Sequence, residues 1–312
     1  MHNKKIFGFI TVLCTLLMLS ACASTSQSSN TSGASNKTKE KESKAVDLKI
    51  TTYNPQEKGI FPVASNIIEG PKEVILVDAQ FQKNDADKLV QMIKATKKKL
   101  TTVYISHQDP DYYFGLSEIK KAFPNAKIVA TPATVKGIKS TIQLKNDYWN
   151  PILGKNAPET KVVPDVLEGK KLTVDGESVN IIGLEGPDPA RTFLWIPSKK
   201  TVLGGIPVFN NMHVWIADTQ TQKSRDNWRA SLDQILELKP EHVIPGHYLG
   251  KDTNDISGVA FTRDYIAKFE KEAKASKNST ELIKAMEKAY PVGGKGNLET
   301  SAKVIKGEMR WP

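Results

Sequence analysis

Acidic and basic side chains alternate along one short segment of the chain, Ser106-His107-Gln108-Asp109-Pro110-Asp111. The segment follows a β-branched, apolar run that ends at Ile105, and it precedes an amphipathic stretch over residues 116–123. A strand fixes the loop that follows it, and side chains that leave the loop at a spacing of two can converge on one point. Imidazole and carboxylate groups in this arrangement are typical of a metal site with mixed nitrogen and oxygen ligands.

A second histidine motif, His242-Val243-Ile244-Pro245-Gly246-His247, lies far downstream. His247 follows the strand-like Val243-Ile244 and a Pro-Gly turn, whereas His242 is expected on the surface before that strand. His107 and His247 at two strand ends, with Asp109 and Asp111 beside the first, predict one shared site. The alternative is that both aspartates only cap the following helix, because Asp is favoured at helix starts.

The remaining pattern predicts a mixed α/β chain. Apolar alternation predicts strands at residues 48–53, 62–69, 73–78, 100–105, 127–130, 171–174, 178–184, 192–197, 201–205 and 243–244. Helical spacing predicts a helix from residue 84 and others at 116–123, about 132–147, 224–238, 256–275 and 279–290, with 148–151 irregular and a short polar tail. Two similar halves predict two sheets face to face with helices outside, in one domain over 46–312.

The N-terminus is typical of a bacterial lipoprotein. Lys4 and Lys5 precede an apolar run that is shorter than the roughly 20 residues of a membrane span. Leu19-Ser20-Ala21-Cys22 matches the box of lipoprotein signal peptidase, so residues 1–21 are predicted to be a signal peptide and Cys22 to be lipidated. The alternative is an ordinary signal peptide or an anchor helix. Residues 22–45, rich in Ser, Thr, Asn, Lys and Glu, are predicted to be a disordered tether.

The composition limits the kinds of partner that the mature chain is expected to bind. The two cysteines are Cys14, which leaves with the signal peptide, and Cys22, so no disulfide or thiolate metal ligand is expected. Cleavage removes Lys4 and Lys5 and lowers the formal charge from +10 to +8. The lysines are spread without aromatic interleaving, so no nucleic-acid partner is expected. The expected location is the extracytoplasmic face of the bacterial cell membrane, with a small molecule as the other partner.

Over about residues 48–250 the motifs resemble those of the metallo-β-lactamase-fold hydrolases. That family has a strand followed by His-x-His-x-Asp-His and a closing Gly, then a Gly-His turn, a strand ending in Gly-Asp and a strand ending in Gly-His. The first histidine, the aspartate and the last histidine fall on His107, Asp111 and His247. The other ligand positions differ here, and in chain order they fall on Asp109, Tyr112, Pro187 (with Asp188 beside it) and Ile206. Residues 198–202 and 213–218 resemble a secreted branch of the superfamily.

The resemblance implies a four-layer αββα sandwich with the loops 106–115, 186–192, 206–213 and 245–250 on one edge. It implies a metal-bound water as nucleophile, with Asp111 as the catalytic residue that orients it or accepts its proton. Ile206 cannot bridge two cations and Pro187 cannot replace a histidine, so one divalent metal (zinc, iron or manganese) is expected, or none. The implied ligands are His107, Asp109, Asp111 and His247, with Asp188, His213 and a deprotonated Tyr112 as further candidates.

Three functions fit these observations. The first is a metal-dependent hydrolase of a small ester, lactone, amide or phosphoester at the cell surface. The second is a lipoprotein of the same fold that has lost catalysis and binds a ligand or partner at the old site. The third is a solute-binding lipoprotein that serves a transporter. Only the first requires a metal, so the metal content of the purified protein separates it from the other two.

Overall fold

The computed structural model describes residues 46–311, which form thirteen strands and eight α-helices. The strands are β1 Lys49–Tyr53, β2 Ser65–Glu69, β3 Glu73–Val77, β4 Lys99–Ile105, β5 Lys127–Ala130, β6 Asp165–Val166, β7 Lys171–Val174, β8 Glu177–Ile182, β9 Phe193–Ile196, β10 Thr201–Leu203, β11 Phe209–Asn210, β12 His242–Val243 and β13 His247–Tyr248. The helices are α1 Lys83–Ala95, α2 Pro110–Tyr113, α3 Leu116–Ala122, α4 Pro132–Leu153, α5 Gln222–Glu237, α6 Ser257–Ala275, α7 Ser279–Ala289 and α8 Lys295–Ile305.

Two mixed sheets carry the fold. The first has the order β1-β2-β3-β4-β5-β6, antiparallel from β1 to β3 and parallel from β3 to β6. The second has the order β12-β10-β9-β8-β7, in which only β10 and β12 are parallel. The parallel pairs of the first sheet are joined by α1, by α2 with α3, and by α4, because parallel strands require a crossover connection. The predicted arrangement of two sheets flanked by helices is confirmed.

Side chains of β3 alternate between two buried clusters, and this alternation shows how the layers pack. Val74 and Leu76 belong to a buried cluster that also contains Leu89 and Ile93 of α1. Their neighbours Ile75 and Val77 belong to a second cluster, shared with residues of β7 to β10 in the other sheet. Successive side chains of a strand point to opposite faces, so one strand contributes to both clusters. The sheet is therefore covered by helices on one face and by the second sheet on the other.

Three local predictions were wrong. Residues 148–151 are helical, because α4 continues to Leu153 with Pro151 in its last turns. The predicted polar tail contains α8, whose Leu298 and Ala302 are fully buried. His242 begins β12 and pairs with Thr201, although its side chain is exposed as predicted.

The predicted signal peptide, the tether and Cys22 lie outside the described residues and stay predictions. Within residues 46–311, no helix is both long and apolar enough to span a lipid bilayer.

Candidate functional site

A buried hydrogen-bond network fixes the start of the loop after β4. Ser106 donates its backbone N–H to Asp78 Oδ1 at 2.8 Å and its hydroxyl to Asp78 Oδ2 at 2.6 Å. The Ser106 hydroxyl oxygen in turn accepts the backbone N–H of Gly205 at 2.7 Å. Burial raises the pKa of Asp78 to about 8, against the lowering effect of the two hydrogen bonds from Ser106. The network thereby joins the ends of β3, β4 and β10.

Close backbone contacts hold the other loops against this point. A Cβ atom on Gly205, whose φ is 77°, would lie 2.1 Å from the carbonyl oxygen of Thr192. A Cβ atom on Gly246 would lie 2.1 Å from the carbonyl oxygen of Gly205. Only glycine permits such contacts between backbones. The loops after β10 and β12 are therefore fixed to the same edge of the molecule, and His247 follows Gly246 directly.

The first pair of predicted ligands is His107 with Asp109. His107 Nε2 lies 3.2 Å from Asp109 Oδ2, and His107 Nδ1 lies 3.2 Å from the carbonyl oxygen of Ala190. Lys145 of α4 donates its ammonium group to Asp109 Oδ1 at 2.7 Å. Burial opposes ionisation of Asp109, but the charges and hydrogen bonds of His107 and Lys145 outweigh it and hold the pKa below its usual range. Asp109 occupies the N-cap position of α2 without a side-chain capping bond, so capping does not account for its carboxylate.

The second pair is Asp111 with His247. His247 Nε2 lies 3.3 Å from Asp111 Oδ2 and 3.2 Å from Tyr112 Oη, and its ring stacks on Phe209 at a centroid distance of 4.9 Å. Tyr112 is fully buried. Burial, followed by the nearby charges of Asp111 and other carboxylates, raises the pKa of Tyr112 well above its ordinary value. The raised pKa favours the protonated phenol, whereas a role of Tyr112 as metal ligand requires its deprotonated form.

The ring of Tyr112 lies between the two pairs. Its centroid is 5.3 Å from that of His107 and 5.6 Å from that of His247. The four predicted ligands thus share one edge, as expected, but form two separate pairs. Within residues 46–311, no three His, Cys, Asp or Glu side chains converge as a metal site requires. Because Pro187 and Ile206 offer no ligand and Lys145 already holds Asp109 Oδ1, the residues present do not fit the metal that the resemblance implies.

The two other candidate ligands have different partners. Asp188 accepts the N–H of Ala190 at 3.1 Å and contacts Arg191 Nε at 3.3 Å. His213 is fully buried, and its Nδ1 lies 2.9 Å from Tyr265 Oη of α6. Burial lowers the pKa of His213, so its ring stays neutral. Neither side chain contacts His107 or His247 in the described part of the chain, and His213 instead helps to dock the C-terminal helices.

Sequence reasoning missed two cationic residues at this edge. Lys145 lies 36 residues after Asp109 and on another element, so no spacing rule indicates the pair. Arg191 is buried, contacts Asp188 and places its guanidinium 4.5 Å above the ring centre of Trp228. A buried cation needs a carboxylate or an aromatic partner, and the three-residue spacing of Asp188 and Arg191 is the one local signal for it.

Comparison with known proteins identifies the family. The family model of the metallo-beta-lactamase superfamily matches the sequence over residues 59–247, which is more than half of the chain. The chain therefore belongs to this superfamily. The match ends at His247 and includes all four residues of the two pairs. No curated protein matches the chain in sequence.

Solved structures agree on the fold. A metallo-beta-lactamase from Pontibacter korlensis is similar at a TM-score of 0.51 and 15% identity, over 71% of this chain and 99% of that one. A metallo-beta-lactamase family protein from Thermus thermophilus is similar at a TM-score of 0.58 and 14% identity, over 83% of this chain and 91% of that one. At these identities the likeness establishes the fold and leaves the activity open.

Proposed function

We propose that this chain is a cell-surface lipoprotein of the metallo-β-lactamase superfamily that binds a small molecule at the family's active-site edge without metal-dependent hydrolysis. One observation carries the proposal. Both carboxylate oxygens of Asp109 have partners, with Lys145 Nζ at 2.7 Å and His107 Nε2 at 3.2 Å. A lysine ammonium thus supplies the positive charge that a metal supplies elsewhere in the family.

The second pair supports the same conclusion. Tyr112 stands where the family has its third histidine, and it stays a neutral phenol that contacts His247 Nε2. A neutral tyrosine is a poor substitute for an imidazole ligand, and the nearby Ile206 is an apolar, buried side chain in place of the bridging carboxylate. The arrangement offers few ligands for a cation that could activate a water, and Asp111 Oδ2 lies against His247 Nε2 at 3.3 Å instead.

Binding remains feasible because the edge is partly open. The side chains of Asp109, Lys145 and Asp188 are 21%, 24% and 25% exposed. They present both charges to solvent on a scaffold whose loops are fixed by buried hydrogen bonds. Small-molecule sites fix the orientation of their ligand with a small number of precisely placed polar groups. The box around Cys22 supports attachment to the membrane.

A metal-dependent hydrolase is the second candidate, since His107, Asp111 and His247 keep their family positions at one edge. Elemental analysis of the lipoprotein purified from membranes tests both, together with turnover of esters, lactones, amides and phosphoesters with and without added zinc, iron or manganese. We expect no stoichiometric metal, no turnover, and small-molecule ligands that raise the melting temperature equally with and without a chelator.

Two variants sharpen the test. Lys145→Ala should weaken ligand binding, whereas Lys139→Ala on the same helix, an exposed residue outside the ion pairs of the described residues, should not. One bound metal per chain, with turnover that His107→Ala and His247→Ala both abolish, would establish the hydrolase and reject the binding proposal.

A further inference from the structure

An apolar stripe lies exposed along the outer face of α4. Leu144, Tyr148 and Ile152 are 71%, 60% and 53% exposed, and their spacing of four places them on one side of the helix. The opposite side contributes Val135, Ile138 and Leu153 to the core. Large apolar side chains that are exposed singly are common, but a contiguous row on one helix face marks a contact surface.

The helix is firmly attached, so the stripe cannot turn inward. Trp149 packs edge-on against Phe61 and Phe81 at centroid distances of 5.5 and 5.2 Å. Near the start of α4, a Cβ atom on Gly137 would lie 1.7 Å from the side-chain oxygen of Gln108, which shows how closely the helix meets the loop. Lys145 adds its ion pair with Asp109. The outer face is therefore a fixed feature of the fold.

Lysines lie at both ends of the stripe. Lys136, eight residues before Leu144, and Lys155, three residues after Ile152, are exposed and take no part in the ion pairs found within residues 46–311. The acidic residue beside the stripe, Asp147, accepts a hydrogen bond from Gln143 at 2.8 Å. Apolar and aromatic side chains with a basic border are typical of helices that lie in the interface of an anionic membrane.

We propose that the outer face of α4, defined by Leu144, Tyr148 and Ile152, rests on the anionic lipid surface of the membrane to which the protein is anchored. The proposal requires that a lipid on Cys22 holds the domain near the membrane. Only 23 residues separate Cys22 from Val46, which limits the length of the tether to about 80 Å of extended chain.

The tether is long enough for α4 to contact the membrane. It precedes β1, and β5, the strand before α4, lies four strand spacings, about 19 Å, from β1. Docking α4 on the bilayer would hold Lys145, and with it the His107–Asp109 pair, close to the lipid headgroups. The proposed binding edge would thus face ligands that are concentrated at the membrane surface.

The test uses site-specific fluorescence on vesicles. Processing removes Cys14 and lipidation blocks Cys22, so a cysteine introduced by Tyr148→Cys is the sole free thiol, and Leu236→Cys on α5 is the matched exposed control. With phosphatidylglycerol vesicles that carry nitroxide headgroups, the label at 148 should be quenched at least about threefold more than the label at 236. Equal quenching at both positions would overturn the proposal.

A second arm is independent of the lipid anchor. The mature chain from residue 22 with Cys22→Ser should bind phosphatidylglycerol vesicles, and replacing Leu144, Tyr148 and Ile152 by serine should weaken binding about tenfold or more. Lys136→Gln and Lys155→Gln should each weaken it about fivefold, whereas Lys139→Gln, nine residues from Tyr148 and so on the opposite side of α4, should not. All six residues are exposed, so the melting temperature should not change.

The two experiments distinguish the lipid anchor on Cys22 from the membrane contact of α4. An intact mass of the purified wild-type protein without lipid on Cys22 would reject the lipid anchor, while vesicle binding by the Cys22→Ser chain would still support the role of α4. Absence of binding in that second arm, or sedimentation showing that the stripe instead forms a dimer of this chain, would reject the membrane contact.

Discussion

Replacing Ser106 by alanine should be among the most destabilising single-atom deletions in this protein. The hydroxyl donates to Asp78 Oδ2 at 2.6 Å and accepts from the N–H of Gly205 at 2.7 Å, and all three residues are fully or almost fully buried. Alanine leaves Asp78 Oδ2 without the hydroxyl donor and the N–H of Gly205 without its acceptor.

The magnitude follows from the two groups left without partners. A buried polar group that loses its hydrogen bond costs about 1–3 kcal/mol, so two such groups predict a loss of roughly 2–6 kcal/mol in the free energy of unfolding. Urea unfolding measured by tryptophan fluorescence and by far-UV circular dichroism gives this value, provided that both signals report one transition with an unchanged slope.

Ser231→Ala is the matched control. Ser231 is also buried, but its hydroxyl only donates to the carbonyl oxygen of Asn227 at 3.2 Å within α5, so the change leaves no backbone N–H without an acceptor. We expect a loss below about 1 kcal/mol. Equal losses for Ser106→Ala and Ser231→Ala would refute the idea that the network joins the strand ends.

The remaining predictions concern pH, backbone contacts and processing. Because the folded-state pKa of Asp78, about 8, lies above its ordinary 3.8, the folded protein retains a proton that the unfolded chain releases; the contribution of Asp78 to stability should be complete below about pH 4 and be lost as the pH rises through 8, and Asp78→Asn should flatten this part of the urea-midpoint profile. Gly246→Ala should lower stability by more than about 2 kcal/mol, because its Cβ atom meets the Gly205 carbonyl oxygen, whereas Gly296→Ala in α8 meets nothing and should be neutral or stabilising in the same urea assay. Cys22→Ala should accumulate unprocessed precursor or release the protein from membranes; unchanged processing and partitioning on cell fractionation would reject lipidation.

The sequence was informative wherever the signal is local. Apolar alternation located the strands up to one or two residues at most ends, as at β3, predicted at 73–78 and observed at Glu73–Val77. It failed where a local rule competes with packing. Tyr148-Trp149-Asn150-Pro151 is predicted to be irregular, yet Trp149 packs against Phe61 and Phe81 and these residues continue α4.

By itself, the sequence indicated most of the strands and helices, the family, and the loops that carry His107 and His247, because these depend on residues close together in the chain. The short strands β6, β11 and β13 and the helix α8 were not predicted. Only the tertiary structure decided which side chains meet. The crossover of α4 brings Lys145 onto Asp109, and the buried ring of Tyr112 separates the two histidine pairs. Such contacts join residues tens of positions apart, and their geometry depends on how the two sheets and α4 pack around them.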